Sequence, residues 1–105
     1  MSVGGIHFNK VQKEKNLIYS HLKTPYIDIQ RCKLDSTIVK LIPKTVAEQH
    51  KLIAIDKMDN ILTVGLTNLE DITILSSLET ELNCIIIPYL ISLKGWETVF
   101  FTAYL

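Results

Sequence analysis

Two short apolar stretches separated by a turn sequence place the strongest constraint on the fold of this chain. Residues 52–55 and 61–67 are rich in aliphatic and β-branched side chains, and Met58-Asp59-Asn60 lies between them. Asp and Asn tolerate the left-handed backbone conformation that a tight turn between antiparallel strands requires. The sequence therefore predicts a β-hairpin.

The second stretch of the hairpin alternates in the way that a half-buried strand does. Leu62, Val64 and Leu66 are expected on one face of the sheet, and Gly65 is expected on the other. A glycine inside a strand indicates that another group approaches the backbone closely. A packed helix is favoured over a ligand as that group.

A helix and a third strand are predicted after the hairpin. Asn68 is a typical N-cap, and the apolar stripe of the helix consists of Ile72, Leu75, Leu78 and Leu82. Residues 84–87 are apolar throughout, which predicts a strand covered on both faces, and Pro88 is expected to end it. Strand, helix and strand then form a parallel crossover, giving a small mixed three-stranded sheet.

The remaining segments are predicted to be mostly helical. A first helix is expected at about residues 9–22, with an apolar stripe of Phe8, Val11, Ile18 and Leu22. Pro25 ends it, and residues 26–29 alternate as a short extended piece. Asp35 can cap a short helix that ends at Pro43, and Pro43 can begin the next helix. The last helix is expected to start at Ser92, and Gly95 in its first turn slightly weakens it.

Length and composition predict one α+β domain. The chain has 105 residues, 48% of them hydrophobic, and a formal net charge of zero, which together exclude a disordered chain. Residues 1–7 contain Gly4-Gly5 and no periodicity, so they are expected to be a flexible lead. The domain is expected to span residues 8–105, with a helical part at 8–50 and an α/β part at 51–105.

The cysteine pattern and the hydropathy predict a cytoplasmic protein. Cys32 and Cys84 form no C-x-x-C or zinc-ligand pattern and are interpreted as reduced core thiols, with a disulfide between them as the less favoured alternative. No apolar stretch approaches the roughly 20 residues that cross a bilayer, so no membrane insertion is expected.

The charges are distributed unevenly along the chain. Residues 1–57 hold ten Lys and Arg against five Asp and Glu (+5), and residues 58–105 hold one against six (−5). The halves can fold together and mix their charges over one surface, or a basic face can serve an anionic ligand or an acidic partner. A single arginine and the absence of a nucleic-acid-binding motif argue against nucleic acid as that ligand.

Residues for catalysis or for cofactor or metal binding are not indicated. Two of the four glycines are Gly4-Gly5 and the other two stand alone, so no phosphate-binding loop is present. His7, His21 and His50 are scattered and are interpreted as surface residues. Asp28 is the best single polar candidate, although a capping or turn role is favoured for it. The chain is therefore predicted to be neither an enzyme nor a cofactor or metal carrier.

The aromatic residues suggest a partner surface in the last helix. Five of the eight lie in the last 17 residues, and four of these are predicted to bind a partner: Trp96, Phe100, Phe101 and Tyr104. A helix covers its core with a stripe of limited width, so these side chains cannot all point inward. The surplus is either a second buried face or an interface for another chain or domain.

Five fragments in a fixed order resemble one known family. Residues 25–29 are similar to its P-Y-(I/V)-D-(L/I) segment, Leu41-Ile42-Pro43 followed by Ala47 to its L-(I/V)-P…A helix entry, and residues 62–66 to its L-T-V-A-M strand. The strand at 52–55 and the Asn68 helix start complete the set, which covers about residues 24–105. The family is the N-terminal domain of the ATPases that drive type II secretion and type IV pilus assembly.

The chain departs from the family at two places. The usual Asp-Pro helix entry is Asn68-Leu69 here, which keeps the capping side chain. Some relatives bind cyclic di-GMP through repeated R-L-G-x-x-L…G-(L/I)-(I/V) elements in and ahead of the leading helical region. Gly5-Ile6 is at most a remnant of one such element, so cyclic di-GMP is not expected to bind.

The resemblance implies a function in protein docking. In that family the domain binds the cytoplasmic part of an inner-membrane platform protein, and the ATPase motifs lie elsewhere. We therefore expect a non-catalytic interaction or regulatory module, with self-association as another possible use of the same surface. A cyclic di-GMP sensing domain is the alternative, and an unrelated small enzyme is a distant third.

Overall fold

A computed structural model describes residues 24–105 of the chain. The lead at residues 1–7 and the helix predicted at 9–22 lie outside the described residues. The α-helices are α1 (Ser36–Val39), α2 (Lys44–His50), α3 (Ile74–Leu82) and α4 (Leu93–Ala103). The strands are β1 (Leu52–Met58), β2 (Ile61–Leu66) and β3 (Ile85–Leu90), and 3-10 turns lie at Ile29–Arg31 and Leu69–Asp71.

The predicted hairpin is confirmed. Strand β1 pairs antiparallel with β2, and Asp59 adopts the left-handed conformation in the turn, with φ of 54°. The pairing shifts between Ala54 and Asp56, which leaves Ile55 without a ladder partner and marks a β-bulge. Leu62, Val64 and Leu66 are all fully buried, as the alternation predicts.

The crossover to a third strand is also confirmed. Strand β3 pairs parallel with β2, and the strand order is β1-β2-β3, so the domain is α+β with a mixed three-stranded sheet. The Asn68 side chain accepts a hydrogen bond from the Glu70 amide at 2.9 Å, but it caps the 3-10 turn and α3 begins only at Ile74. Ile72, Leu75 and Leu78 are buried in the core, as predicted.

Two predictions about the third strand are wrong. The strand is not covered on both faces, because Ile86 is buried while Ile85 and Ile87 are 52% and 42% exposed. Pro88 does not end it, since β3 continues to Leu90. The proline is tolerated because β3 is an edge strand. Ile85 and Ile87 are exposed because they lie on the face of the sheet opposite the one that buries Ile86.

The edge of β3 opposite β2 offers few amide donors to a further strand. Leu90 donates its amide proton to Pro25 O at 2.8 Å, away from β2, so the amides two and four residues earlier point to the same edge. Pro88 has no amide proton, and Ile86 donates to the Glu79 carboxylate at 2.8 Å. An incoming strand therefore finds no free donor at these three positions.

The segment before α1 begins as the predicted extended piece and then turns. Tyr26 forms a parallel bridge with Leu90, and the Ile27 amide donates to Leu90 O at 2.9 Å. Asp28 Oδ1 accepts from the Gln30 amide at 3.1 Å, which confirms a capping role for this carboxylate. The turn that it caps buries Ile29 in the core.

The helix boundaries follow the capping residues that the sequence indicates. Asp35 Oδ1 accepts from the Thr37 amide at 2.8 Å, Pro43 immediately precedes α2, and Ser92 Oγ accepts from the Gly95 amide at 2.9 Å. Among residues 24–105, no helix has the length and hydropathy needed to cross a bilayer.

Two glycines permit close packing by side chains that the sequence does not identify. A Cβ atom on Gly65 would lie 2.9 Å from Ile91 Cδ1. The group that approaches Gly65 closely is therefore the Ile91 side chain, between β3 and α4, and not the helix that was predicted. A Cβ atom on Gly95 would lie 2.7 Å from Ile29 Cγ2. Gly95 therefore lets α4 approach the turn at Ile29–Arg31.

The hydrogen bond from Ile86 to Glu79 gives a test of the closed edge. Replacing Glu79 with Ala leaves a partly buried amide proton unpaired and should lower the free energy of unfolding by about 1–2 kcal/mol in urea titrations. Glu79→Gln keeps an acceptor oxygen and should lose less. Glu81→Ala changes an exposed residue of the same helix and should stay within about 0.5 kcal/mol of the parent. Equal effects of the two alanine substitutions would contradict this role of Glu79.

Candidate functional site

The inward face of α4 is used by the fold itself. Trp96 and Phe100 are buried, and their rings stack with centroids 4.4 Å apart. The Trp96 indole donates its Nε1 proton to the carbonyl oxygen of Leu52 at 2.8 Å. This bond satisfies the one polar atom of the indole inside the core and fixes α4 to the first residue of β1.

Tyr104 makes a second, partly buried attachment at the other end of α4. Its hydroxyl donates to the carbonyl oxygen of Ile42 at 2.7 Å, and its ring centroid lies 5.0 Å from that of Phe100. Burial raises the pKa of Tyr104 to about 12, because the phenolate is poorly solvated there. The phenol therefore stays protonated and donates this hydrogen bond throughout the physiological range.

Phe101 points away from these contacts. Adjacent residues of a helix lie about 100° apart, so the burial of Phe100 turns Phe101 toward solvent. Its side chain is 64% exposed, and its ring meets the Phe100 ring edge-on at 5.3 Å. Leu105, four residues later, is also exposed. Exposed aromatic rings are common anchor residues in protein interfaces, so Phe101 stays the predicted partner contact.

A shallow cleft lies beside this face of α4. Its volume is about 330 Å³, and it is lined by Cys32, Leu34, Ser36, Thr98, Val99, Thr102 and Ala103. Thr98 precedes Phe101 by three residues, so the two side chains are neighbours on the helix surface. We call Phe101, Leu105 and this cleft the α4 outer surface.

The four predicted partner-binding residues therefore divide into two groups. Trp96 and Phe100 are buried and Tyr104 is half-buried, so in this conformation they support the helix from within. Phe101 is largely exposed and is accessible to a partner. Partner binding by this surface stays a prediction. The cleft residues were not identified from the sequence, where Thr98 and Thr102 look like ordinary solvent-facing positions.

Both thiols are free. Cys84 is buried in the core, as predicted, whereas Cys32 is only partly buried against it. Burial, and then the charge of Asp28, raises the pKa of Cys32. Burial, and then the charge of Glu79, raises the pKa of Cys84. Since the thiolate is the reactive form, neither residue is activated as a nucleophile or metal ligand.

The potential metal ligands of residues 24–105 do not cluster. His50 Nδ1 lies 3.7 Å from Asp71 Oδ1 in a partly exposed pair, and no group of three or more potential metal ligands occurs in this part of the chain. His7, His21 and four of the lysines in the basic half lie outside the described residues. The proposed basic face therefore stays a prediction.

The family is decided by comparison with known domains. The family model of the MshEN domain matches residues 22–94. The chain belongs to the MshEN domain family. This result confirms the resemblance to the N-terminal domains of type II secretion and type IV pilus ATPases.

Two solved structures share the fold of this MshEN domain. A structure of MshE with cdg (cyclic di-GMP) has a TM-score of 0.71 and 21% identity, covering 85% of this chain and 65% of that one. A structure of the N-terminal domain of XpsE has a TM-score of 0.62 and 12% identity, covering 78% and 58%. The chain thus spans less than two thirds of either solved chain. No curated protein matches it.

The Tyr104 phenol predicts a pH dependence of stability. Its pKa is about 12 in the folded chain against an ordinary value of 10, so folding favours the neutral form. The contribution of the phenol to the free energy of unfolding is complete below about pH 10 and is lost as the pH rises through about 12. In urea titrations, the difference in unfolding free energy between the parent and Tyr104→Phe should be largest below pH 10 and should shrink toward pH 12. A constant difference across this window would contradict the assignment.

Proposed function

We propose that this MshEN domain is a docking module that binds the cytoplasmic part of an inner-membrane platform protein through the α4 outer surface. The observation that supports this proposal is the exposed Phe101 on a helix whose other aromatic side chains are buried. An exposed aromatic side chain on a rigid helix loses little conformational freedom when it binds. The neighbouring cleft offers a concave surface beside it.

The composition of the α4 outer surface favours recognition by a partner through shape and apolar contact rather than through charge. Phe101 and Leu105 are apolar, and the cleft walls combine aliphatic side chains with the hydroxyls of Ser36, Thr98 and Thr102. An apolar anchor surrounded by polar hydroxyls is the usual anatomy of a protein interface. Binding should therefore depend weakly on salt.

The proposal also includes a non-catalytic role in the cytoplasm. The MshEN domain is an N-terminal module of these ATPases and not their catalytic domain. The chain lacks a glycine-rich phosphate loop, so we propose that it does not itself hydrolyse ATP. Residues 8–105 are proposed to form a single domain that docks as one unit.

Replacing Phe101 with Asp tests this surface. The charge should weaken binding to the platform protein's cytoplasmic part by at least about tenfold in calorimetry, because it places an unpaired carboxylate in an apolar contact. The free energy of unfolding should change by no more than about 0.5 kcal/mol. Tyr26→Asp is the matched control, since Tyr26 is also 64% exposed and lies outside α4.

The outcomes separate docking from folding. Binding that survives Phe101→Asp while the protein stays folded would contradict the proposed surface. Equal loss of binding in Tyr26→Asp would show that the docking site lies elsewhere on the domain.

Cyclic di-GMP sensing is a second candidate function, favoured by the fold that this chain shares with MshE, solved with cdg. The sequence motif expected for that ligand is reduced to Gly5-Ile6. We therefore expect calorimetric titration of the full chain with cyclic di-GMP to show no binding at low micromolar concentrations. Saturable binding in that range would make sensing the better description.

A further inference from the structure

The cleft of the α4 outer surface has a helix on one side and an extended segment on the other. Cys32 has φ of −84° and ψ of 141°, and Asp35 has φ of −104° and ψ of 121°, so the chain between them begins and ends extended. Side chains of alternate residues in such a segment point the same way, and the wall that it gives the cleft consists of Cys32, Leu34 and Ser36. The facing wall on α4 consists of Thr98, Val99, Thr102 and Ala103.

The backbone of this extended segment is not used by the fold. Lys33 and Leu34 neither donate nor accept a backbone hydrogen bond within residues 24–105, and the segment belongs to none of the strands. Successive residues of an extended chain direct their N–H and C=O groups to opposite sides. Each side of the segment therefore carries one donor and acceptor pair that a further strand can use.

The lining of the cleft selects uncharged groups. All the side chains that line it are uncharged, and Leu34, Val99 and Ala103 supply apolar surface. Two of the polar groups are already used inside the domain, since the Thr98 hydroxyl donates to Lys94 O at 2.9 Å and the Cys32 thiol donates to Asp28 O at 3.6 Å. A charged side chain that entered the cleft would lose its hydration without gaining a counter-charge. The side chains that enter it are therefore expected to be uncharged and mainly apolar.

An extended peptide suits these two walls better than a helix does. Residues 32–36 span about 13 Å when extended, which leaves room for a strand of four or five residues beside them. Alternate side chains of that strand, about 7 Å apart, can enter the cleft, whose volume is about 330 Å³. A helix hydrogen-bonds its own backbone groups and would leave those of Lys33 and Leu34 unpaired.

We propose that the partner of the α4 outer surface docks in an extended conformation between α4 and residues 32–36. Its backbone adds a strand to this segment, and its alternate, uncharged side chains enter the cleft. This inference rests on the proposed docking function and identifies the chemistry of the partner. In such a mode the backbone hydrogen bonds contribute affinity, and the cleft determines which side chains are accepted.

Isotope-filtered NMR of the complex with the platform protein's cytoplasmic part tests the conformation of the docked segment. With the domain labelled and the partner unlabelled, NOEs are expected from the amide and Hα protons of Lys33 or Leu34 to backbone protons of the partner, because paired strands bring these protons close together. The methyl groups of Leu34, Val99 and Ala103 should show NOEs to side chains of the partner.

The NMR outcomes separate this inference from the docking function. NOEs at the cleft methyls without any backbone NOEs would show that a helix docks there. That result would overturn the extended mode and leave docking through α4 intact. A complex that changes neither the cleft nor Phe101 would contradict the docking surface and the extended mode together.

Proline substitutions give a second measurement. Lys33→Pro and Leu34→Pro each remove an amide proton that has no acceptor within the described part of the chain, whereas Lys33→Ala and Leu34→Ala keep it. At one of the two positions, proline should weaken binding by at least about threefold more than alanine, because one backbone hydrogen bond to the partner is lost. Equal affinities of proline and alanine at both positions, in folded variants, would overturn the proposal.

Discussion

The attachment of α4 to the rest of the domain is the interaction on which this structure depends. Trp96 hydrogen-bonds to the first residue of β1, and Tyr104 hydrogen-bonds to Ile42 between α1 and α2. Gly95 allows α4 to pack this closely, because any side chain at this position would collide with Ile29. One helix thus joins the helical part to the sheet. The inward face of α4 makes these contacts, and Phe101, next to the buried Phe100, is therefore exposed to solvent.

Local signals in the sequence predict most of the secondary structure. Asp35 caps the short helix that it was expected to cap, and Ser92 marks the start of the last helix. Asp28 takes a capping role, and Asp59 lies in the hairpin turn. The errors concern features that depend on distant parts of the chain. An apolar run such as residues 84–87 looks the same whether one face of the strand is covered or both, and the difference depends on what packs against the sheet. The closure of that edge by Glu79 likewise depends on how α3 packs.

The sequence predicts which aromatic residues α4 carries, but it does not predict which of them face solvent. Helical spacing shows that adjacent Phe100 and Phe101 cannot both face the core, but it does not show which one does. The answer depends on the rotation of α4, which the hydrogen bonds of Trp96 and Tyr104 and the contact at Gly95 determine. The cleft beside Phe101 also arises from tertiary packing, since Cys32 and Leu34 come from a segment far from α4 in the sequence.

Amide and methyl NMR during titration with the platform protein's cytoplasmic part is the most direct test of the division between the two faces of α4. The outer surface should respond, with the largest shifts at Phe101, Thr98 and Leu105. The Trp96 indole proton should move little, because its bond to Leu52 is internal to the domain. Shifts concentrated on the sheet, with α4 unchanged at saturation, would contradict the account.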